Sequence, residues 1–157
     1  AEAIEMALQQ LDGARWRFVC MHVPPYASGM RDWMTENAHE LMELFERYRV
    51  DVVLSGRQQQ YQRTVPMRVH KTVEHAITIV NTGLGMEPLQ DVDEYIAAVN
   101  DSAAHYVRVS CDKQFLRVEA IDLQGRIFDS YIVDRHRFDM ILDKTQLLPN
   151  AGLWFFL

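Results

Sequence analysis

Apolar positions along this chain change their spacing three times, and each spacing predicts a different kind of element. In residues 2–12, Ile4, Ala7, Leu8 and Leu11 share one helical face, and Gly13 follows as a stop. Residues 16–21 (WRFVCM) read as a buried strand ending at His22, broken by the turn at 23–29 (VPPYASG). Residues 31–48 give the clearest helical signal. Met34, Ala38, Leu41, Phe45 and Tyr48 recur every three or four positions, while Glu36, Glu40, Glu43 and Arg47 take the other side. Residues 50–54 (VDVVL) are then a short, almost wholly apolar strand, the kind covered on both faces in a parallel sheet. Strand, helix, strand makes a βαβ unit with parallel strands and a right-handed crossover. His22 and the turn at 55–57 are therefore expected at the carboxyl end of one sheet, where open α/β sheets place their ligands.

Beyond Thr64 the spacing turns to two. Residues 76–80 predict a strand running into 81–85 (NTGLG), and residues 87–103 read as a polar loop with one helical turn around 95–99. Three strands follow at 105–111, 114–122 and 126–133. Val107, Val109 and Cys111 alternate with polar neighbours in the first, and Leu116, Val118 and Ala120 in the second. Turn sequences CDKQ and DLQG between them predict an antiparallel meander. The fold class expected is thus mixed α/β (α+β), one βαβ unit extended by a meander. The last residues, GLWFFL, form an apolar terminus expected to dock on this chain or another.

The totals narrow the partners. At 157 residues the chain suits one domain, and its formal net charge of −6, with basic residues scattered, argues against a nucleic-acid partner. No apolar stretch has the length of a membrane span. Cys20 and Cys111, each inside or ending an apolar run, are expected as small buried hydrophobes, with no spacing that asks for a disulfide.

Residues 22–26 (HVPPY), followed one crossover later by 50–56 (VDVVLSG), resemble the calcineurin-like metallophosphoesterases, and among them the purple-acid-phosphatase-like branch. Members of that branch carry a His-x-Pro-x-Tyr turn, a helix, and a strand ending Ser-Gly-His-x-His-x-Tyr-x-Arg-Thr. Residues 54–64 here read LSGRQQQYQRT. Residues 79–85 (IVNTGLG) are similar to the family's Gly-rich strand end, and 119–130 (EAIDLQGRIFDS) to its closing strands. The resemblance runs in order over residues 4–134 of a single domain spanning 1–157, leaving 135–157 as a tail. It implies the carboxyl-terminal half of the family's αββα sandwich, with the chain beginning partway through that fold. The family's other half, with its Asp-x-His, Gly-Asp-x-x-Asp and Gly-Asn-His segments, has no counterpart in this sequence.

In the family, the two histidines after Ser-Gly each bind one ion of a two-metal centre built on Fe, Zn or Mn. Arg57 and Gln59 stand in those places here. A guanidinium stays protonated and has no free lone pair. The Gln59 amide oxygen suits Ca²⁺ better than zinc or iron. His22 remains as a residual metal position, but a zinc site needs three or four protein ligands. No metal cofactor is therefore expected for this chain alone. Without a metal-activated water, neither catalysis nor a catalytic residue is expected. Arg57, Gln59 and Tyr61 are the candidate contacts for a phosphate-like anion. Arg57's fork suits such a ligand, and it equally suits a polar turn or an interface. Tyr61 and Arg63, at family positions, are expected to brace the loop.

The remaining polar residues carry weaker signals. His39 with Glu36 and Glu43 could hold a metal weakly, but a solvated, charge-mixed helix face is the expectation. His70 and His75 flank an expected hairpin tip at 71–74 without metal spacing. Asp91, Asp93 and Glu94 lack the EF-hand pattern. His105 and His136 belong to no constellation, and Ser28, Ser55 and Ser110 lack a Gly-x-Ser-x-Gly context. The functional expectation is a degenerate or partial metallophosphoesterase, a pseudoenzyme in the chain alone. Two alternatives stand beside it. One is half of a split or processed phosphatase, completed by an amino-terminal half. The other is a non-catalytic binding or assembly module, such as a homo-oligomer joined through open sheet edges.

Overall fold

The computed structural model describes residues 2–27, 36–70, 75–83, 96–100 and 103–135. In chain order the elements are α1 (Glu2–Gln9), β1 (Phe18–Met21), α2 (Glu36–Arg47), β2 (Val52–Ser55), β3 (Tyr61–Thr64), β4 (Thr78–Thr82), β5 (Ile96–Asn100), β6 (His105–Cys111), β7 (Phe115–Asp122) and β8 (Ile127–Asp134). They form a five-stranded sheet in the order β1-β2-β4-β3-β5 and a three-stranded sheet in the order β6-β7-β8. No helix among the described residues is long and apolar enough to cross a membrane.

The βαβ expectation holds. β1 and β2 pair in parallel, Phe18 opposite Val52 and Met21 opposite Ser55, and β4 continues the parallel set with Val53 opposite Ile79. Successive side chains point to opposite faces, so the register sorts them cleanly. Val19, Val53 and Ile79 face the helices and pack with Leu8, Met42, Leu44, Phe45 and Val50. Phe18, Val52, Leu54 and Val80 face the second sheet and pack with Leu116, Val118 and Ala120. The result is three layers: helices, mixed sheet, antiparallel meander. Val52, Val53 and Val80 have no exposed surface, and each such buried side chain contributes about 1.5–3 kcal/mol.

Helix α2 forms for the reason its pattern suggests, burying Ala38 and Phe45 with Leu41 and Tyr48 half-buried. Met42 and Leu44 join that face as well. The expected start of the helix at 31–35, including Met34, lies outside the described residues. In α1 the buried stripe reduces to Leu8 with Ile4 beside it, while Ala7 and Leu11 are exposed. The meander pairs as expected, with Val118 opposite Val109 and Tyr131. Its burial alternates only in part: Leu116, Val118 and Ala120 are buried together with Glu119 and Ile121, while Val109 and Cys111 in β6 are exposed.

Three expectations are corrected. Residues 61–64 form a strand rather than the end of a loop, and it runs antiparallel between β4 and β5. Residues 96–100 are strand β5, not a helical turn, because Gln62 and its neighbours offer them a ladder. Local polarity had hidden a partner more than thirty residues away. Cys20 and Cys111 are exposed free thiols. Cys20 sits on β1 opposite Leu54, and Cys111 ends β6 opposite Leu116. The residues 28, 84–85, 91, 93–94, 136 and the tail at 136–157 lie outside the described residues.

Candidate functional site

Because β1, β2 and β4 run in parallel, their carboxyl ends open on one rim. His22 follows β1, Ser55 and Gly56 close β2, and Thr82 closes β4. With Cys20, Met21 and Leu54 they line an open cavity of about 390 Å³. The expected meeting of His22 with the turn after β2 is therefore present.

That turn is fastened from behind. The buried Ser55 hydroxyl donates to Asn81 Oδ1 at 3.0 Å, and Asn81 Nδ2 donates to Gln58 Oε1 at 3.0 Å and to the Gln60 carbonyl at 3.4 Å. Asn81 is almost wholly buried, so it acts as a rivet between β4 and the loop. The loop also lies directly on Gly83. A Cβ there would collide with the Gln58 carbonyl and come within 2.9 Å of Gln59 Cα. Only glycine permits that approach. Arg57 and Gln59 are exposed on the outer side of this fastened loop.

Tyr61 lies elsewhere. It is 1% exposed, and its hydroxyl donates to Asp129 Oδ2 at 2.5 Å. Arg63 grips the same carboxylate in a bidentate fork, Nε to Oδ2 at 2.6 Å and Nη2 to Oδ1 at 2.9 Å. These three bonds tie β3 of the first sheet to β8 of the second. Burial foremost, then the Asp129 carboxylate, pushes the Tyr61 hydroxyl above its ordinary range, so it remains a donor. Burial alone would raise Asp129. The Arg63 and Tyr61 bonds outweigh it and hold the carboxyl below the usual range. The Tyr61 hydroxyl is thus spent inside the sandwich, and bracing is what its geometry supports.

His105 joins the site without having given a local signal. Its Nδ1 lies 2.8 Å from the Ala103 carbonyl, so it carries the proton, and Nε2 accepts from the Thr82 hydroxyl at 3.2 Å. Its ring meets Tyr61 edge-on at 5.4 Å and Phe128 at 5.6 Å. His105 thereby orients a cavity-lining hydroxyl. Only the packing of β6 against the end of β4 brings it there.

At the opposite, amino-terminal rim lies a buried polar cluster. Asp51 accepts the Arg17 backbone N–H at 2.8 Å and the Arg135 guanidinium at 2.7 Å. Arg135 also stacks on Trp16 at 4.9 Å. His75 donates its Nε2–H to the Val50 carbonyl at 2.7 Å, and burial, reinforced by nearby arginines, lowers its pKa to about 4. It belongs to this structural cluster, and the hairpin tip expected at 71–74 lies outside the described residues.

The cavity donors do not match a two-metal centre. The lining brings one imidazole and one thiol, with no carboxylate among the described residues. The loop adds a guanidinium and an amide. A dication beside Arg57 would meet a fixed positive charge instead of a lone pair.

No family model matches the chain, and no curated protein matches it in sequence. Solved structures do. Purple acid phosphatase PPD1 from yellow lupin (Lupinus luteus) seeds superposes over 96% of this chain and 31% of its own, with a TM-score of 0.66 at 18% identity. GAP50, described as the anchor in the inner membrane complex of Plasmodium, superposes over 96% of this chain and 51% of its own, with a TM-score of 0.67 at 13% identity. At such identities the likeness is one of fold, and the chain spans about a third to a half of the length of these two proteins.

Proposed function

We propose that this chain is a degenerate metallophosphoesterase-like module, in which the ligand-binding rim of the fold is kept and the two-metal hydrolytic chemistry is lost. One observation carries the reading. The loop after β2 is still fastened to the sheet by Ser55, Asn81 and Gly83, yet it presents Arg57 and Gln59 where imidazoles would be needed. A rim of this kind can bind a phosphate-like anion through the Arg57 fork without activating a water. Arg57 and Gln59 are the residues proposed for that contact, with Tyr61 holding β3 from behind.

The test is direct. Purified chain with Mn²⁺, Zn²⁺ or iron and an aryl phosphate is expected to show no turnover above metal alone. Inorganic phosphate is expected to bind more weakly after Arg57→Ala. Robust hydrolysis that His22→Ala abolishes would overturn the proposal.

A second reading rests on a different observation. Among the described strands β1 pairs only with β2, so one edge of the first sheet is open beside the cavity. A complementary amino-terminal half, in the same or another polypeptide, could pair there and complete the sandwich. GAP50 is described as an anchor, and a non-catalytic use of this fold accords with that. Mass in solution and co-purification test it. A monomer that captures no such half would remove it.

A further inference from the structure

Away from the cavity, the last turns of α2 meet the segment that follows β3. Glu46, buried although charged, accepts the backbone N–H of Val69 at 2.9 Å and of His70 at 3.2 Å. Its Oε2 also takes His70 Nδ1 at 2.7 Å. A carboxylate oxygen accepts, so this bond favours the tautomer with its hydrogen on Nδ1, which leaves Nε2 as the outward-facing ligand atom. That Nε2 lies 3.7 Å from Glu43 Oε1, and the same oxygen lies 3.5 Å from His39 Nδ1, one helical turn earlier. One carboxylate oxygen therefore stands beside two imidazole nitrogens, a donor set that a cation can bridge.

We propose that His39, Glu43 and His70 form a site for a first-row divalent cation such as Zn²⁺ or Ni²⁺, with Glu46 holding His70 from behind. Donor chemistry supports this, since two imidazoles and a carboxylate suit these ions. Spacing supports it too. Ligand atoms about 2.0–2.1 Å from a tetrahedral ion lie roughly 3.3–3.4 Å apart, a few tenths of an ångström inside the two measured separations. Among the described residues no three such side chains already converge on one point. The missing step is small, because the His39 side chain is 67% exposed and turns on a helix surface without disturbing the core. The Glu46–His70 bond is the carboxylate–imidazole pair that fixes tautomer and ring orientation behind a metal. Three protein ligands leave a position for water, and the ion clips the segment around His70 onto α2. This site is independent of the cavity at the carboxyl ends of β1, β2 and β4 and of the reading given for it.

The experiment titrates ZnCl₂ or NiCl₂ into the full chain, followed by calorimetry and thermal unfolding. One saturable site is expected, tighter than about 100 μM, with a rise in the unfolding midpoint. His70→Ala and Glu43→Gln are each expected to weaken it at least about tenfold, and Glu46→Gln by about 10–100-fold. His22→Ala, at the cavity, is expected to leave it unchanged. His39→Ala and His70→Ala alter exposed side chains, so metal-free midpoints close to wild type show that lost binding is not lost folding. If His70→Ala unfolds the chain, His39→Ala decides. Absence of saturable binding, binding that survives His39→Ala and His70→Ala together, or binding lost in His22→Ala would each overturn the proposal.

Discussion

Asp129 is the residue whose removal tests the inter-sheet clamp most sharply. Its carboxylate receives three charge-assisted bonds, from Tyr61 at 2.5 Å and from Arg63 at 2.6 and 2.9 Å. The Arg63 and Asp129 side chains are 14% and 10% exposed, so water cannot replace a lost partner freely. Asp129→Ala leaves a guanidinium uncompensated between two sheets, which costs about 3–5 kcal/mol. Tyr61→Phe removes one hydrogen bond to a charged acceptor, about 1.5–3 kcal/mol. In the Asp129→Ala background that bond no longer exists, so adding Tyr61→Phe should cost little further. The double-mutant cycle should therefore return most of the single Tyr61→Phe effect as coupling. Urea unfolding of the four proteins at pH 7 supplies the measurement. The sign with pH is also fixed. Asp129 is held below the usual carboxylate range, so its stabilisation is full above its unfolded pKa and is lost as pH falls through the folded value. An Asp129→Ala cost under about 1 kcal/mol, or a Tyr61→Phe cost equal in both backgrounds, would refute the clamp.

The buried His75 gives a pH signature of its own. Its folded pKa is about 4 against 6.5 ordinarily, so the unfolded chain binds the proton first and stability falls as pH drops from 6.5 towards 4. At pH 5 the loss is about 2 kcal/mol, and His75→Gln should flatten that part of the profile. Asp51, raised chiefly by burial, works in the opposite direction within the carboxylate range, so the window above pH 5 is the cleaner one. Gly83→Ala places a methyl against the Gln58 carbonyl and should cost about 1–3 kcal/mol or more while displacing the loop at 56–60. An unfolding midpoint equal to wild type would contradict the close approach.

Helix α2, strands β1 and β2 and the whole meander could be read from the chain because each buries one face or both. A buried face forces its own period onto the sequence, 3.6 for Ala38, Leu41 and Phe45 and 2 for Leu116, Val118 and Ala120. The resemblance added the order of elements and the place of the loop, and the fold agrees with it.

Other features had no local trace. Strand β3 carries Gln62 and Arg63, which read as loop until β4 and β5 supply a ladder on both sides. Asp129 looks like any surface aspartate of a hairpin, and becomes a clamp only because Tyr61 and Arg63, more than sixty residues earlier, arrive beside it. His105 meets Thr82, and Glu46 meets His70, in the same way. The sequence by itself determined the βαβ unit, the hairpins of the meander and the faces that α2 and β7 bury, since apolar burial is a property of a segment's own pattern. Only the tertiary structure decided which polar groups share a buried space. A hydrogen bond or ion pair depends on a partner's position to within an ångström, and that position is set by the packing of the whole sandwich.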